Sequence, residues 1–201
     1  MSHHEEVIYE ADCSELKSFI NNQAFKPRLV STITENEWRR PIDAIWIRRW
    51  KPASDGKRLC KNRLCARGCF DSQKHLVSRT SSTATRLSQK LLMSRCANNS
   101  AWTCESWDVS TAFLQDISFD DIPKFARTLK MDIPLVDRYV YLTAPGNVWY
   151  RLLQLGFSTH DQYQQARLGR LILQCVKCVN GLVDTPLLWA MTLRYHMQVV
   201  M

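Results

Sequence analysis

Apolar and polar positions change period several times along the chain, and each change predicts an element. Over residues 14–22 the apolar residues Leu16, Phe19 and Ile20 fall on one helical face, with Asp12 or Ser14 suited to cap the first turn. Residues 42–50 read as a strand around Ile45 and Ile47, with Trp46 and Trp50. Residues 52–57 carry turn chemistry and residues 59–66 alternate again, so the two strands are expected to form a long hairpin. Between residues 83 and 98, Ala84, Leu87, Leu91 and Leu92 recur at helical spacing, and Asn98 and Asn99 read as a stop.

The second half continues in mixed order. Residues 102–109 look like a strand ending in an acid, and Ser110 to Leu114 reads as a turn into a short helix. A short helix is expected within 119–131, a strand over 138–142 stopping at Thr143-Ala144-Pro145-Gly146, and a polar helix over 159–171. A strand over 171–179 runs into a turn at 180–185, and Pro186 is placed as the first residue of a helix reaching about Val199. With no internal repeat and no linker rich in Gly or Ser, the pattern predicts an α+β fold in one domain.

Composition narrows the class. The 201 residues are 45% hydrophobic and 23% charged, with 6 Gly and 7 Pro, which excludes collagen-like, low-complexity and small disulfide-knot architectures. The most apolar stretch, 187–201, is broken by Arg194, His196 and Gln198, so no membrane span is expected. The N-terminus, with His3, His4, Glu5 and Glu6, lacks the basic and apolar regions of a secretory signal, and an intracellular protein is expected.

Charge is unevenly spread. Residues 26–95 hold seventeen Lys and Arg against five Asp and Glu, a net of +12 within a chain whose total is +8. Interleaved with Trp38, Trp46, Trp50 and Phe70, this block has the character of a polyanion-binding surface; the alternative is a solvated basic face over core tryptophans. Of the eight cysteines, the Cys175 and Cys178 pair has zinc-like spacing, and Cys60, Cys65 and Cys69 form a looser group. The alternating neighbours instead favour Cys65 and Cys175 as small apolar strand residues, and the set reads as free thiols.

Three strings then carry a resemblance: Gly56-Lys57-Arg58 with Arg63-Leu64-Cys65-Ala66-Arg67-Gly68; Trp107-Asp108-Val109-Ser110-Thr111-Ala112-Phe113-Leu114-Gln115; and Gly181-Leu182-Val183-Asp184-Thr185-Pro186 with Trp189. Together they resemble the reverse transcriptase of copia-type retrotransposons, in family order over roughly residues 8–195. Residues 40–46 and 50–52 are similar to that family's opening strand, and 10–22 to the short helix before it.

The resemblance implies the fingers and partial palm of an RNA-directed DNA polymerase, with fingers over 1–100 and palm over 101–201 as parts of one continuous domain. It implies partners, an RNA or DNA template-primer and a deoxynucleoside triphosphate, and a cofactor, Mg2+. Asp108 matches the first metal carboxylate, with the Val109 carbonyl as a second ligand; Ser110, Thr111 and Ala112 would offer backbone N–H groups to the triphosphate. Phe113 matches a gate against the 2′-hydroxyl, and Lys61, Arg63 and Arg67 would clamp phosphate oxygens from one strand face. Gly181 matches a small residue under the template base, while Pro186 and Trp189 would be structural.

Departures matter equally. Asn180, Val183 and Leu187 stand where the family usually has Tyr, Lys and Arg. The family's Tyr-x-Asp-Asp hairpin does not occur, and Ser118-Phe119-Asp120-Asp121 is too close behind Asp108 to replace it. One carboxylate does not hold two magnesium ions, so the expectation is a truncated and catalytically incomplete polymerase. The alternative expectation is a non-catalytic, basic nucleic-acid-binding relic.

Overall fold

A computed structural model describes residues 3–52, 58–81, 84–106 and 108–200. The hairpin turn at 53–57, which includes Gly56 and Lys57, lies outside the described residues, as do Thr83 and Trp107. The fold is a mixed α+β arrangement around one five-stranded sheet. Helix α1 (His3–Asn21) leads into strand β1 (Phe25–Leu29), and strands β2 (Ile42–Pro52) and β3 (Arg58–Ala66) form the expected hairpin, in antiparallel register from Ala44 opposite Ala66 to Pro52 opposite Arg58. Helix α2 (Arg86–Ala97) is capped by the Thr85 side chain, which accepts from the Ser88 N–H. There follow α3 (Ile122–Thr128), β4 (Tyr141–Thr143), α4 (Gly146–Gln154), α5 (His160–Arg167), β5 (Leu171–Cys175) and α6 (Thr185–Tyr195).

Strand order is β1-β5-β4-β2-β3, antiparallel except for the short parallel β4 and β2 pair. Strand β1 escapes the alternation test because Lys26, Pro27 and Arg28 interrupt it. It survives as an edge strand, where a proline's missing N–H costs no ladder bond. Helix α4, also beyond the expected elements, begins one residue after Pro145 and buries Val148, Trp149 and Leu152 along one stripe. The core gathers Leu16 and Phe19 of α1, Leu64 of β3, Leu142 of β4, Leu173 of β5 and Met191 of α6.

One expected strand is corrected. Residues 102–106, 108 and 109 form no strand, and each is exposed. Alternation proposes a strand, but a strand exists through ladder bonds to a neighbour, and this segment pairs with none. Other boundaries also move. Helix α1 starts at His3 rather than residue 14, the β5 strand ends at Cys175 rather than residue 179, and β4 begins at Tyr141 rather than residue 138.

Arg138 is withdrawn from that strand because it serves another purpose. Its guanidinium is buried and bonds Asp71 Oδ2 at 2.6 Å and Asp184 Oδ2 at 2.8 Å, while Gln73 accepts from the Tyr139 N–H at 2.9 Å. Burial opposes the Arg138 charge, and the hydrogen bonds to Asp184 and Asp71 outweigh it, raising its pKa. Asp12 forms a second ionic centre, with 0% exposure. Arg151 of α4 reaches its Oδ2 at 2.8 Å, Arg48 of β2 at 3.0 Å, and the Asn62 amide of β3 donates to Oδ1.

Because removing one partner strands buried charge, Asp12→Ala is expected to lower unfolding free energy by about 3–5 kcal/mol in urea denaturation. A loss below about 1 kcal/mol would mean that water already solvates Arg48 and Arg151.

Candidate nucleotide and nucleic-acid cleft

A cleft of about 730 Å³ opens along the free edge of β3. Its first wall is the polar side of α1, with Ser14, Glu15 and Ser18. The second is the hairpin, with Lys51, Leu59, Lys61 and Arg63. The third is the segment 108–114, and Asn180 closes one end. Opposite residues of an antiparallel pair share a face, so Lys61 and Arg63 stand with Arg49 and Ile47 on one side of the hairpin. The other side, carrying Arg48 and Asn62, is held to α1 through Asp12.

Seven of the residues singled out from sequence, Lys61, Arg63, Asp108, Val109, Ser110, Thr111 and Phe113, line this cleft. Two do not. Arg67 lies one residue beyond β3, 3.8 Å from Asp43 Oδ2 and with its guanidinium 4.7 Å over the Phe70 ring. Gly181 sits behind the cleft, at φ +96°, against the end of β3. A Cβ there would strike the Ala66 carbonyl, and a Cβ on Gly68 would strike the carbonyl of Gly181. The Ala66 N–H donates to the Asn180 carbonyl at 2.8 Å, so this glycine permits backbone-to-backbone packing within the protein.

The segment 108–114 is anchored by buried Leu114 and by a 3₁₀ turn, Ala112–Gln115. Thr111 holds a left-handed conformation at φ +53°, and the Leu114 N–H closes onto the Thr111 carbonyl at 2.8 Å. The expected helix start at Ser110, Thr111 and Ala112 is therefore a four-residue turn, too short for a macrodipole. Positive charge in the cleft rests on Lys51, Lys61 and Arg63. Asp108 is exposed and stands at no strand end. Among the described residues no group of three or more His, Cys, Asp or Glu gathers to hold a metal ion, so the residues present do not fit a two-magnesium centre.

The basic block is partly consumed within the fold. Arg48 answers Asp12, and Arg28 bonds Glu37 at 2.8 Å, a hydrogen bond that pulls the Glu37 carboxyl down to about 2. Cys175 and Cys178 are buried thiols, Cys175 being pushed up to about 12 by burial. Sequence reading passed over Glu15 and Asp116. Glu15 lies three residues after Asp12, hence on the neighbouring helical position, and its Oε1 accepts the Leu64 N–H at 3.2 Å. Burial raises its pKa, with the Leu64 bond and the charges of Arg63 and Lys61 opposing. Asp116 is 1% exposed and both its carboxylate oxygens lack hydrogen-bond partners; burial pushes it up to about 8, with Lys177 opposing and Asp184 adding to the rise.

Comparison of the chain with protein-family models, with curated proteins and with solved structures gave no match. The class defined by the fold is a mixed α+β protein with a cation-lined cleft on a sheet edge. No helix among the described residues is long and apolar enough to cross a membrane.

Gly181→Ala is expected to lower the denaturation midpoint clearly. Gly169→Ala, at φ +69° but in open space, serves as the control that isolates backbone strain from contact; equal losses in the two would remove the packing argument. Asp116 adds a pH signature. A carboxyl raised in the folded state contributes stability that is complete below its unfolded value near about 4 and is lost as pH climbs through about 8. Melting curves from pH 4 to 8 should therefore fall more steeply for the wild type than for Asp116→Asn; parallel curves would count against a buried, unpartnered Asp116.

Proposed function

We propose that the cleft binds phosphate-bearing ligands, the triphosphate of a deoxynucleotide and the backbone of an RNA or DNA template-primer, in the manner of the copia-type reverse transcriptases that the motifs resemble. One observation carries this reading. Lys61 and Arg63 from the hairpin and Asp108 to Phe113 from a segment some forty-five residues later face the same space, although nothing in their local pattern brings them together. Two cations of the clamp are directed there with an aromatic, Phe113, beside them, which suits oxyanions joined to a stacked base.

The reading extends to binding and not to nucleotidyl transfer by this chain alone. A two-metal centre needs more carboxylates than Asp108 supplies, and binding by charge needs none. Thus the proposed role is that of a polymerase-type binding module.

Fluorescence anisotropy of a labelled RNA–DNA primer-template tests it. The association constant should fall linearly with salt on logarithmic axes, and Lys61→Ala combined with Arg63→Ala should flatten the slope by about 0.9 for each phosphate contact removed. Absence of binding at low salt, or a slope unchanged in the double variant, would overturn the proposal.

A further inference from the structure

Two of the free thiols meet at the surface. Cys96 is half-buried in the last turn of α2, and Cys104, eight residues later, is exposed. Between them the chain reverses. The Asn99 N–H donates to the Cys96 carbonyl at 3.3 Å and the Trp102 N–H to the Asn99 carbonyl at 3.0 Å. Trp102 thereby returns along the helix, where it lines a surface groove of about 420 Å³ with Leu91, Ser94 and Arg95. The same reversal carries Cys104 back to the end of α2, and its side chain is hydrogen-bonded to that of Cys96. Burial raises the Cys96 pKa, and the neighbouring Cys104 adds to the rise.

Helix α2 is the element on which a tie at this point acts. None of its residues is buried, and Leu87, Leu91, Leu92 and Met93 are exposed. A helix of 12 residues without packing is marginal in water. We propose that Cys96 and Cys104 are a reversible redox pair, and that the disulfide between them staples the end of α2 to the exposed segment leading into the Asp108 wall of the cleft. The pair does not depend on what the cleft binds.

The oxidant is a low-molecular-weight disulfide. Cys104, the more exposed sulfur, loses its proton to solvent and attacks one sulfur of the oxidant, expelling the other as a thiolate. Cys96 then gives up its proton and attacks the Cys104 sulfur of the mixed disulfide, releasing the second small thiol. Two protons and two electrons leave the pair, and the oxidant is reduced to two thiols. An excess of small thiol reverses both steps.

The test holds the full chain in buffers of oxidised and reduced glutathione, quenches in acid, and maps the thiols by peptide mass spectrometry. Cys69, the other exposed thiol, is the reference. At about millimolar glutathione the wild type should carry the Cys96 to Cys104 bridge in about tenfold excess over the Cys104 glutathione adduct, because the second thiol is already in place. In Cys96→Ser that adduct should persist, as it does on Cys69. Amide exchange at Asn98, whose N–H bonds the Ser94 carbonyl at 3.1 Å, should slow about tenfold on oxidation of the wild type and stay unchanged in Cys104→Ser. A Cys104 adduct as persistent as that on Cys69, or a bridge that forms only when the buried Cys175 and Cys178 also react, overturns the redox pair. A bridge that leaves Asn98 exchange unchanged overturns the staple.

Discussion

Asp12 lies midway along α1 without solvent contact, so its charge has to be met by the protein or the helix cannot pack where it does. Two guanidinium groups and an amide meet it, drawn from β2, β3 and α4. Hydrophobic burial of Leu16 and Phe19 would tolerate some sliding of α1 over the sheet, since apolar attraction has no direction. The ionic cluster does not, because each bond holds over only a few tenths of an ångström. Tyr9 adds to the restraint, with its hydroxyl 3.0 Å from Gln154 Oε1 and its ring under the Arg151 guanidinium. From this follow the distance between α1 and β3, the mouth of the cleft between them, and the placement of Glu15 against the Leu64 N–H.

The second ionic centre does for the rear of the cleft what Asp12 does for the front. Arg138 joins Asp71, beyond β3, to Asp184, at the start of α6. That bond draws the turn at Asn180 and Gly181 against the end of the hairpin, where two glycines allow the backbones to meet. A larger residue at either glycine would force the turn and the hairpin apart. Stability and site geometry are thus coupled, since the groups that hold the hairpin in place are also those that shape the cleft.

Charge organisation follows the same logic. Helix α1 packs on the basic hairpin, so Asp12 neutralises Arg48 from outside the basic block, while Arg28 and Arg67 are met within it by Glu37 and Asp43. Lys51, Lys61 and Arg63 are the cations that line the cleft. Asp116 is the exception to this economy of pairing. It is a carboxylate buried beside Asp184 with no donor for either oxygen, and burial holds its proton on into the neutral range.

The local sequence pattern, hydrophobic period together with turn and helix-start residues, determined the α+β class, the β2 and β3 hairpin, and helices α2, α5 and α6, because these features act through neighbouring residues that local geometry turns directly into an element. It also brought out Lys61, Arg63 and the 108–113 segment as residues of chemical interest, through motif order. Strand β1, with its proline, and the non-strand at 102–106 were not legible, since both depend on whether a neighbouring strand is present to supply or withhold ladder bonds. Arg67 and Gly181 belong by motif with the cleft residues, yet contacts with other segments, the Asp43 carboxylate for one and the Ala66 backbone for the other, place them outside it. Glu15 and Asp116 owe their importance wholly to what packs around them. Burial and opposing charge are properties of the assembled fold, set by contacts between segments far apart in the chain, and a linear pattern carries no measure of them.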